Sequence, residues 1–296
     1  MEHAYLIIAH NEFDILEKQL RLLDDPRNDF YIHIDKKVKS FPFNRFHSIL
    51  NHSSIRFIKR MDIRWGDFSM VKCELALLEA AAKGNYQYYH LISGVDMPLK
   101  TNNEIHAFFE MNSGHEFVHF CSDEQAEKQK DRVERYHSMR LASSSSIVAR
   151  HIGNVANKLL SLQYRTNFRR KENLNIGFSY GAQWFSITNQ FAAYILQNKR
   201  WVKKHFRFTR CSDEHFIQTL IAGSDFYRTL YLQKPNDYLA CMRCIDWIKG
   251  NPYVFRSEDF DYLIHSPFLF ARKFSMQVDK KIIDMIYNHV SSKNVD

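Results

Sequence analysis

A mostly parallel α/β sheet flanked by helices is the fold class this sequence predicts, on three observations. Apolar runs of strand length alternate with segments of helical spacing through the first third of the chain. The runs end in polar clusters, "AHNE", "HIDKK" and "SGVDMPLKT", where parallel sheets bind their ligands. The length of 296 residues, with 45% hydrophobic and 25% charged, suits one large domain with a sizeable core.

Taken in order, "AYLIIA" reads as a buried strand, "FDILEKQLRLL" as a helix and "DFYIHID" as a second strand. "SIRFI" is a third strand, "SMVKCELALLEAAAK" a strong helix and "YYHLIS" another strand. Alternation of this kind implies βαβ units. Residues 122–178 change character: a charged stretch, a serine-capped amphipathic helix from "SSSSIVAR" to "LQYR", then the basic "RTNFRRKENLN". This reads as an insertion over the sheet of a single domain spanning 1–296, not as an independent domain. The α/β pattern returns with "GAQWFSIT", a helix over 189–198 and "SDEHFIQTLI". The last third adds "CIDWIKGNPYVF", a helix start at "SEDFDYLIH", "FLFARKFS" and a terminal amphipathic helix, "DKKIIDMIYNHV".

Composition excludes several classes. No run approaches the ~20 apolar residues of a membrane span, and the N-terminus lacks a signal-peptide core, so the expected location is cytoplasmic. Five scattered cysteines do not form a disulfide framework, and "CMRC" has no second pair or nearby ligand histidines. There is no G-x-G-x-x-G, no P-loop, no G-x-S-x-G and no H-E-x-x-H. The net charge of +8 suits an anionic partner without choosing among nucleic acid, membrane and phosphate-bearing substrates.

Each candidate residue carries two readings. Asp35 and Asp96 stand at strand ends, where a carboxylate can accept from sugar hydroxyls or simply close a turn. Gly94 would let backbone approach a ligand. The D-x-D pair, Asp259 and Asp261, could hold a divalent cation, but its place at a helix start favours capping. Arg272 and Lys273, between two phenylalanines, form either a phosphate grip or a solvated strand surface. Ser212, Asp213 and Glu214 have the makings of a helix N-terminus.

Seven segments in order, "AYLIIAHNE", "YIHIDKK", "WGDFSMV", "YYHLISGVDMPLKT", "GAQWFSIT", "SDEHFIQTL" and "LFARKFS", resemble the core-2/I-branching β-1,6-N-acetylglucosaminyltransferases. Protein O-xylosyltransferases belong to the same family. The resemblance runs from about residue 4 to residue 275. It implies a GT-A-type, Rossmann-like fold and inverting transfer from a UDP-sugar donor to a glycan or lipid-linked glycan acceptor. The sugar it implies is N-acetylglucosamine, β-1,6-linked. It makes Glu214 the general base, with Ser212 and Asp213 capping the helix behind it. It makes Lys273 the cation on the leaving diphosphate and implies no metal and no cofactor. Asp35 and Asp96 would then serve the donor, together with Arg272. Trp247, Trp184, Gln183 and Arg135 would line the acceptor site, although a core position for Trp247 fits nearly as well.

One departure stands out. Where the family carries a second diphosphate-binding arginine, Tyr253 occupies the simplest matching position, leaving Arg256, Arg243 or Lys249 as substitutes. Animal relatives have a membrane anchor and stem, whereas here the first strand follows Met1 almost at once, which suits a compact bacterial-type enzyme. The basic stretch at 165–171 favours peripheral contact with an anionic membrane face. Alternatives are a xylosyltransferase-like donor preference and a non-catalytic glycan- or nucleic-acid-binding protein. No nucleic-acid motif is present, so no nucleic-acid partner is expected.

Overall fold

The computed structural model describes residues 2–137 and 147–293. Four parallel strands lie side by side: β1 (His3–Ala9), β2 (Asn28–Ile34), β3 (Ser54–Phe57) and β4 (Tyr88–Ser93). β6 (Phe117–Val118) and β7 (Phe185–Thr188) extend the sheet antiparallel, giving the order β3-β2-β1-β4-β7-β6. A second, three-stranded sheet joins β5 (Met97–Pro98), β9 (Phe270–Arg272) and β8 (Arg243–Ile245). The mixed α/β architecture matches the fold class expected from the sequence.

Side chains alternate across β1. Tyr5 and Ile7 pack with Leu16, Leu20, Ile105 and Phe109 on one face, while Leu6 and Ile8 meet Val71, Leu77, Leu78 and Phe216 on the other. This is the two-residue period of a strand buried on both sides. The first face is covered by the helices Phe13–Leu22 and Asn102–Met111, the second by Ser69–Ala81. The 102–111 helix opens with a capping box. Thr101 accepts from the Glu104 N–H, and the Glu104 carboxylate accepts from the Thr101 N–H at 2.7 Å.

Register places the strand exits together. Ala9 lies opposite Ile34, and Ile8 opposite Ser93, so His10, Asp35 and Gly94 emerge on one edge. Gly94 serves that edge by packing. A β-carbon there would sit 2.7 Å from the Ala9 β-carbon, so the close approach it permits is to β1, not to a ligand. Buried Gln19 fixes the same loop, donating to the Ser93 and Asp96 carbonyls at 3.0 and 2.9 Å.

The insertion carries the helices Asp123–Gln129, Asp131–Glu134 and Ile147–Arg165. Two arginines hold it together. Arg170, fully buried, donates to the Val133 and Lys204 carbonyls and to the Thr209 hydroxyl. Arg135 donates to the Gln163 and Phe168 carbonyls and pairs with Asp131 at 2.9 Å. The serine cap expected at 143–146 lies outside the described residues.

Below the strand entries, His3, His90 and His106 cluster, with His3 stacked on His106 at 4.1 Å. Burial holds all three below the ordinary histidine range, His106 at about 4. Ten histidines among the described residues are lowered in this way. As pH falls below about 6.5 the unfolded chain takes up protons that these side chains refuse, so stability is lost down to about 4. Five raised carboxyls, Glu74, Asp96, Glu116, Asp213 and Glu214, act in the opposite direction but are outnumbered. The melting temperature is therefore expected to fall between pH 7 and pH 5, as calorimetry across that range will show. A flat profile would contradict the buried, neutral state of these rings.

Candidate active site

The first part of the site is the edge where β1 and β2 end. Asp35 donates its N–H to the Ala9 carbonyl, and its carboxylate accepts from the Lys37 N–H at 2.8 Å. The Lys37 Nζ lies 3.5 Å from the same carboxylate. His10, the first residue past β1, is lowered by burial, with Asp35 raising it and Lys37 and Lys273 lowering it further. Lys273, half-buried just past β9, is thus among the charges that act on His10 at this edge. Its ammonium group has no hydrogen bond or ion pair among the described residues.

The second part is a buried stack beneath the loop after β4. The Arg272 guanidinium lies 3.9 Å from the centroid of the Trp184 ring, and its Nε is 3.3 Å from Asp96. Asp96 also accepts from the Ser93 N–H at 2.9 Å and from the Ser93 hydroxyl. All three large partners are buried or nearly so. The small sheet makes this possible, because pairing of β5 with β9 sets Met97 opposite Ala271. Asp96 and Arg272 thus meet although they are far apart in sequence.

The third part is Glu214. Ser212–Glu214 forms its own 3₁₀ turn, and the following helix, Phe216–Ala222, begins only after His215 departs from helical geometry. The capping expected of Ser212 and Asp213 is not observed: the Ser212 hydroxyl and one Asp213 oxygen are buried without a partner. Cys211, in left-handed conformation at φ 50°, turns the chain into this segment. The turn sends consecutive acids in opposite directions. Asp213 points inward toward the buried Glu74, whose other side is bound by Gln183 Nε2 at 2.6 Å. Glu214 keeps 31% of its side chain exposed and accepts from Arg132 Nη1 at 2.7 Å.

Electrostatics separates the two acids. Burial pushes Asp213 up to about 7, with the Glu214 charge adding to it, and raises Glu74 as well. Burial and the nearby Asp213 charge both favour the neutral form of Glu74. Burial also raises Glu214, but Arg132 opposes it by charge and hydrogen bond, and Tyr180 adds a second hydrogen bond. The result is one solvent-facing carboxylate steadied by a cation beside two acids whose pKa values are raised. Gly181 is required beside it. Its N–H donates to the Glu214 carbonyl at 3.0 Å, and a β-carbon there would fall 2.0 Å from the His119 carbonyl oxygen.

The dipeptide Gln183–Trp184 joins the parts, Gln183 holding Glu74 and Trp184 lying against Arg272. Both residues were expected at the acceptor. Here Gln183 is engaged by a buried carboxylate and Trp184 is 6% exposed. Tyr238 adds a link, stacked on His119 at 4.2 Å and charge-coupled to Arg272. Trp247 is 46% exposed on a loop whose tip, Ile248, is 99% exposed. The core alternative for Trp247 is thereby removed.

Other expected residues sit elsewhere. Arg243 is buried inside, donating to the Cys241 and Phe185 carbonyls and to the Ser186 hydroxyl, which does not suit a diphosphate contact. Arg135 ties the insertion to itself. Its neighbour one helical turn earlier, Arg132, is the residue that reaches Glu214. Arg256 is exposed, with its N–H on the Asp259 carboxylate at 2.9 Å, and Lys249 lies 3.4 Å from the other Asp259 oxygen. Asp259 thus closes the turn before the Phe260–His265 helix, and Asp261 is exposed within it. Among the described residues no group of three or more His, Cys, Asp or Glu is placed to hold a metal ion. Cys241 and Cys244 are buried free thiols, raised to about 11 by burial.

A bovine β-1,3-galactosyl-O-glycosyl-glycoprotein β-1,6-N-acetylglucosaminyltransferase is 23% identical over 99% of this chain and 70% of its own length. Rat xylosyltransferase 2 is also 23% identical over 97% of the chain, which spans only 33% of that enzyme. Among solved structures, apo mouse xyloside xylosyltransferase 1 covers 92% of the chain and 97% of its own, at 8% identity and a TM-score of 0.37. No helix among the described residues is long and apolar enough to cross a membrane. The model of the core-2/I-branching enzyme family matches residues 3–261, most of the chain, and the protein belongs to that family of glycosyltransferases.

Proposed function

We propose that the protein transfers N-acetylglucosamine from UDP-N-acetylglucosamine to a glycan hydroxyl in β-1,6 linkage, with inversion and without a metal. The observation that carries the reading is Glu214, a part-exposed carboxylate held by Arg132 at 2.7 Å on the side of the sheet where β4 ends. In a single displacement the acceptor oxygen bonds the anomeric carbon as the bond to the diphosphate breaks. Glu214 takes the hydroxyl proton and UDP leaves with the negative charge. Lys273, unpaired among the described residues at the β1–β2 edge, is the cation assigned to that charge. The acids of the D-F-D pair cap and face solvent at a helix start, which fits a diphosphate neutralised by side chains.

A second reading keeps the chemistry and changes the sugar. Xylosyltransferase 2 stands at the same 23% identity as the β-1,6-N-acetylglucosaminyltransferase, so UDP-xylose is the rival donor. UDP release from a panel of UDP-sugars, with EDTA present, decides both points. Turnover on UDP-N-acetylglucosamine that survives chelation is expected. Cleavage of UDP-xylose alone would replace the donor, and loss of activity restored by Mn²⁺ would overturn the role given to Lys273.

A further inference from the structure

We propose that the corner built by the Ile147–Arg165 helix, residues 166–174 and the end of the Lys199–Phe206 helix docks on an anionic phospholipid bilayer. Apolar side chains that would be core elsewhere are exposed here: Val155 48%, Leu159 63%, Leu162 46%, Phe168 53%, Leu174 47% and Phe208 39%. An apolar groove of about 560 Å³ runs among them, with Leu159, Leu162, Phe168 and Phe208 in its walls. A cluster of that kind on a protein surface marks an interaction site.

Charge identifies the partner. Residues 147–210 contain twelve Lys and Arg and a single acid, Glu172, a net +11. The chain as a whole carries +8, so the remainder is net −3 and the positive excess lies entirely in this segment. Glu172 is paired to buried Arg170 at 3.2 Å, and acids outside the segment offset two more cations, Glu134 pairing with Arg169 and Glu79 with Lys199 at 2.7 Å. Lys158, Arg165, Lys171, Lys203, Lys204 and Arg207 are exposed, and the Arg207 guanidinium lies 5.1 Å from the centroid of the Phe208 ring. Aliphatic side chains ringed by cations match acyl chains beneath anionic headgroups. A nucleic acid would satisfy the cations but offers exposed leucine and valine no apolar partner, so the bilayer is the occupant the surface fits.

The placement has a consequence for catalysis, and that part rests on the function proposed above. The insertion that carries the docking face also supplies Arg132 to Glu214. Seating this corner on a bilayer would bring the base toward acceptors held at the membrane.

Docking itself is tested without any turnover. The full chain is sedimented with vesicles of phosphatidylglycerol and phosphatidylcholine mixed, and with vesicles of phosphatidylcholine alone, at about 0.1 M and 1 M salt. The expected result is at least tenfold stronger partition onto the anionic vesicles, weakened at high salt. Leu159→Asp with Leu162→Asp, both at exposed positions that leave the core intact, is expected to lower that partition at least tenfold. Arg165→Glu with Arg207→Glu is expected to remove the preference for anionic lipid. Equal partition of the two vesicle types, no sedimentation with either, or unchanged binding by the leucine variant would each overturn the proposal. So would equal salt-sensitive retention on single-stranded DNA that the leucine variant does not reduce, because the surface would then be a general polyanion binder.

Discussion

Glu214→Gln is expected to lower the turnover number about 10²–10⁴-fold while leaving donor affinity nearly unchanged. The amide keeps the shape of the side chain and can still accept from Arg132, whose Nη1 sits 2.7 Å from the carboxylate, but it cannot accept the acceptor's proton. Arg132→Met gives a different signature. Burial raises the Glu214 pKa and Arg132 is the largest influence opposing it. Without the guanidinium the pKa rises further, and the base stays protonated to higher pH. The acid limb of kcat/KM should therefore move upward in pH, while the rate at alkaline pH recovers much of its wild-type value. A drop of equal size at every pH would mean that Arg132 acts by gripping the acceptor. Equal turnover by Glu214→Gln and wild type would remove Glu214 as the base.

The strands that frame this site were legible in the sequence, and what was not has identifiable causes. β1, β2 and β4 announce themselves because strands buried on both faces are nearly all apolar, and their shared exits follow from the parallel register. β5 and β6 are two residues each, too short to show any period. The 102–111 helix was missed although Thr101 and Glu104 spell a capping box. Ser212 had the composition of a cap, yet the left-handed Cys211 turns the chain so that its hydroxyl has no partner. In "KDRVERYH" it is Arg132 that reaches Glu214, while Arg135 binds within the insertion. Arg132 is inside the short 131–134 helix, whereas Arg135 sits past its end in extended geometry and turns into the insertion. The Glu74–Asp213 pair joins residues far apart in sequence, and no local pattern can show that.

Arg272→Met is expected to destabilise the fold by about 3–5 kcal/mol, the usual result of removing one partner of a buried ion pair. The sequence offered Arg272 as half of a phosphate grip, but its guanidinium lies against Trp184 at 3.9 Å and beside Asp96 at 3.3 Å, with little of the side chain left to solvent. Asp96 would be left with the two Ser93 donors alone. Its raised pKa already shows burial outweighing those hydrogen bonds and the neighbouring positive charge. Asp96→Asn combined with Arg272→Met removes both charges, so the double variant should be less destabilised than the two single effects added together, by at least about 1 kcal/mol. Denaturant unfolding of the four proteins measures this coupling directly. Independent, additive losses would mean that the two charges do not depend on one another. Wild-type stability in Arg272→Met with donor binding abolished would return Arg272 to the diphosphate. If the coupling is found, the adjacent residues of "FARKFS" divide the labour: Arg272 turns inward to lock the β4 loop, and Lys273 is left to meet the ligand.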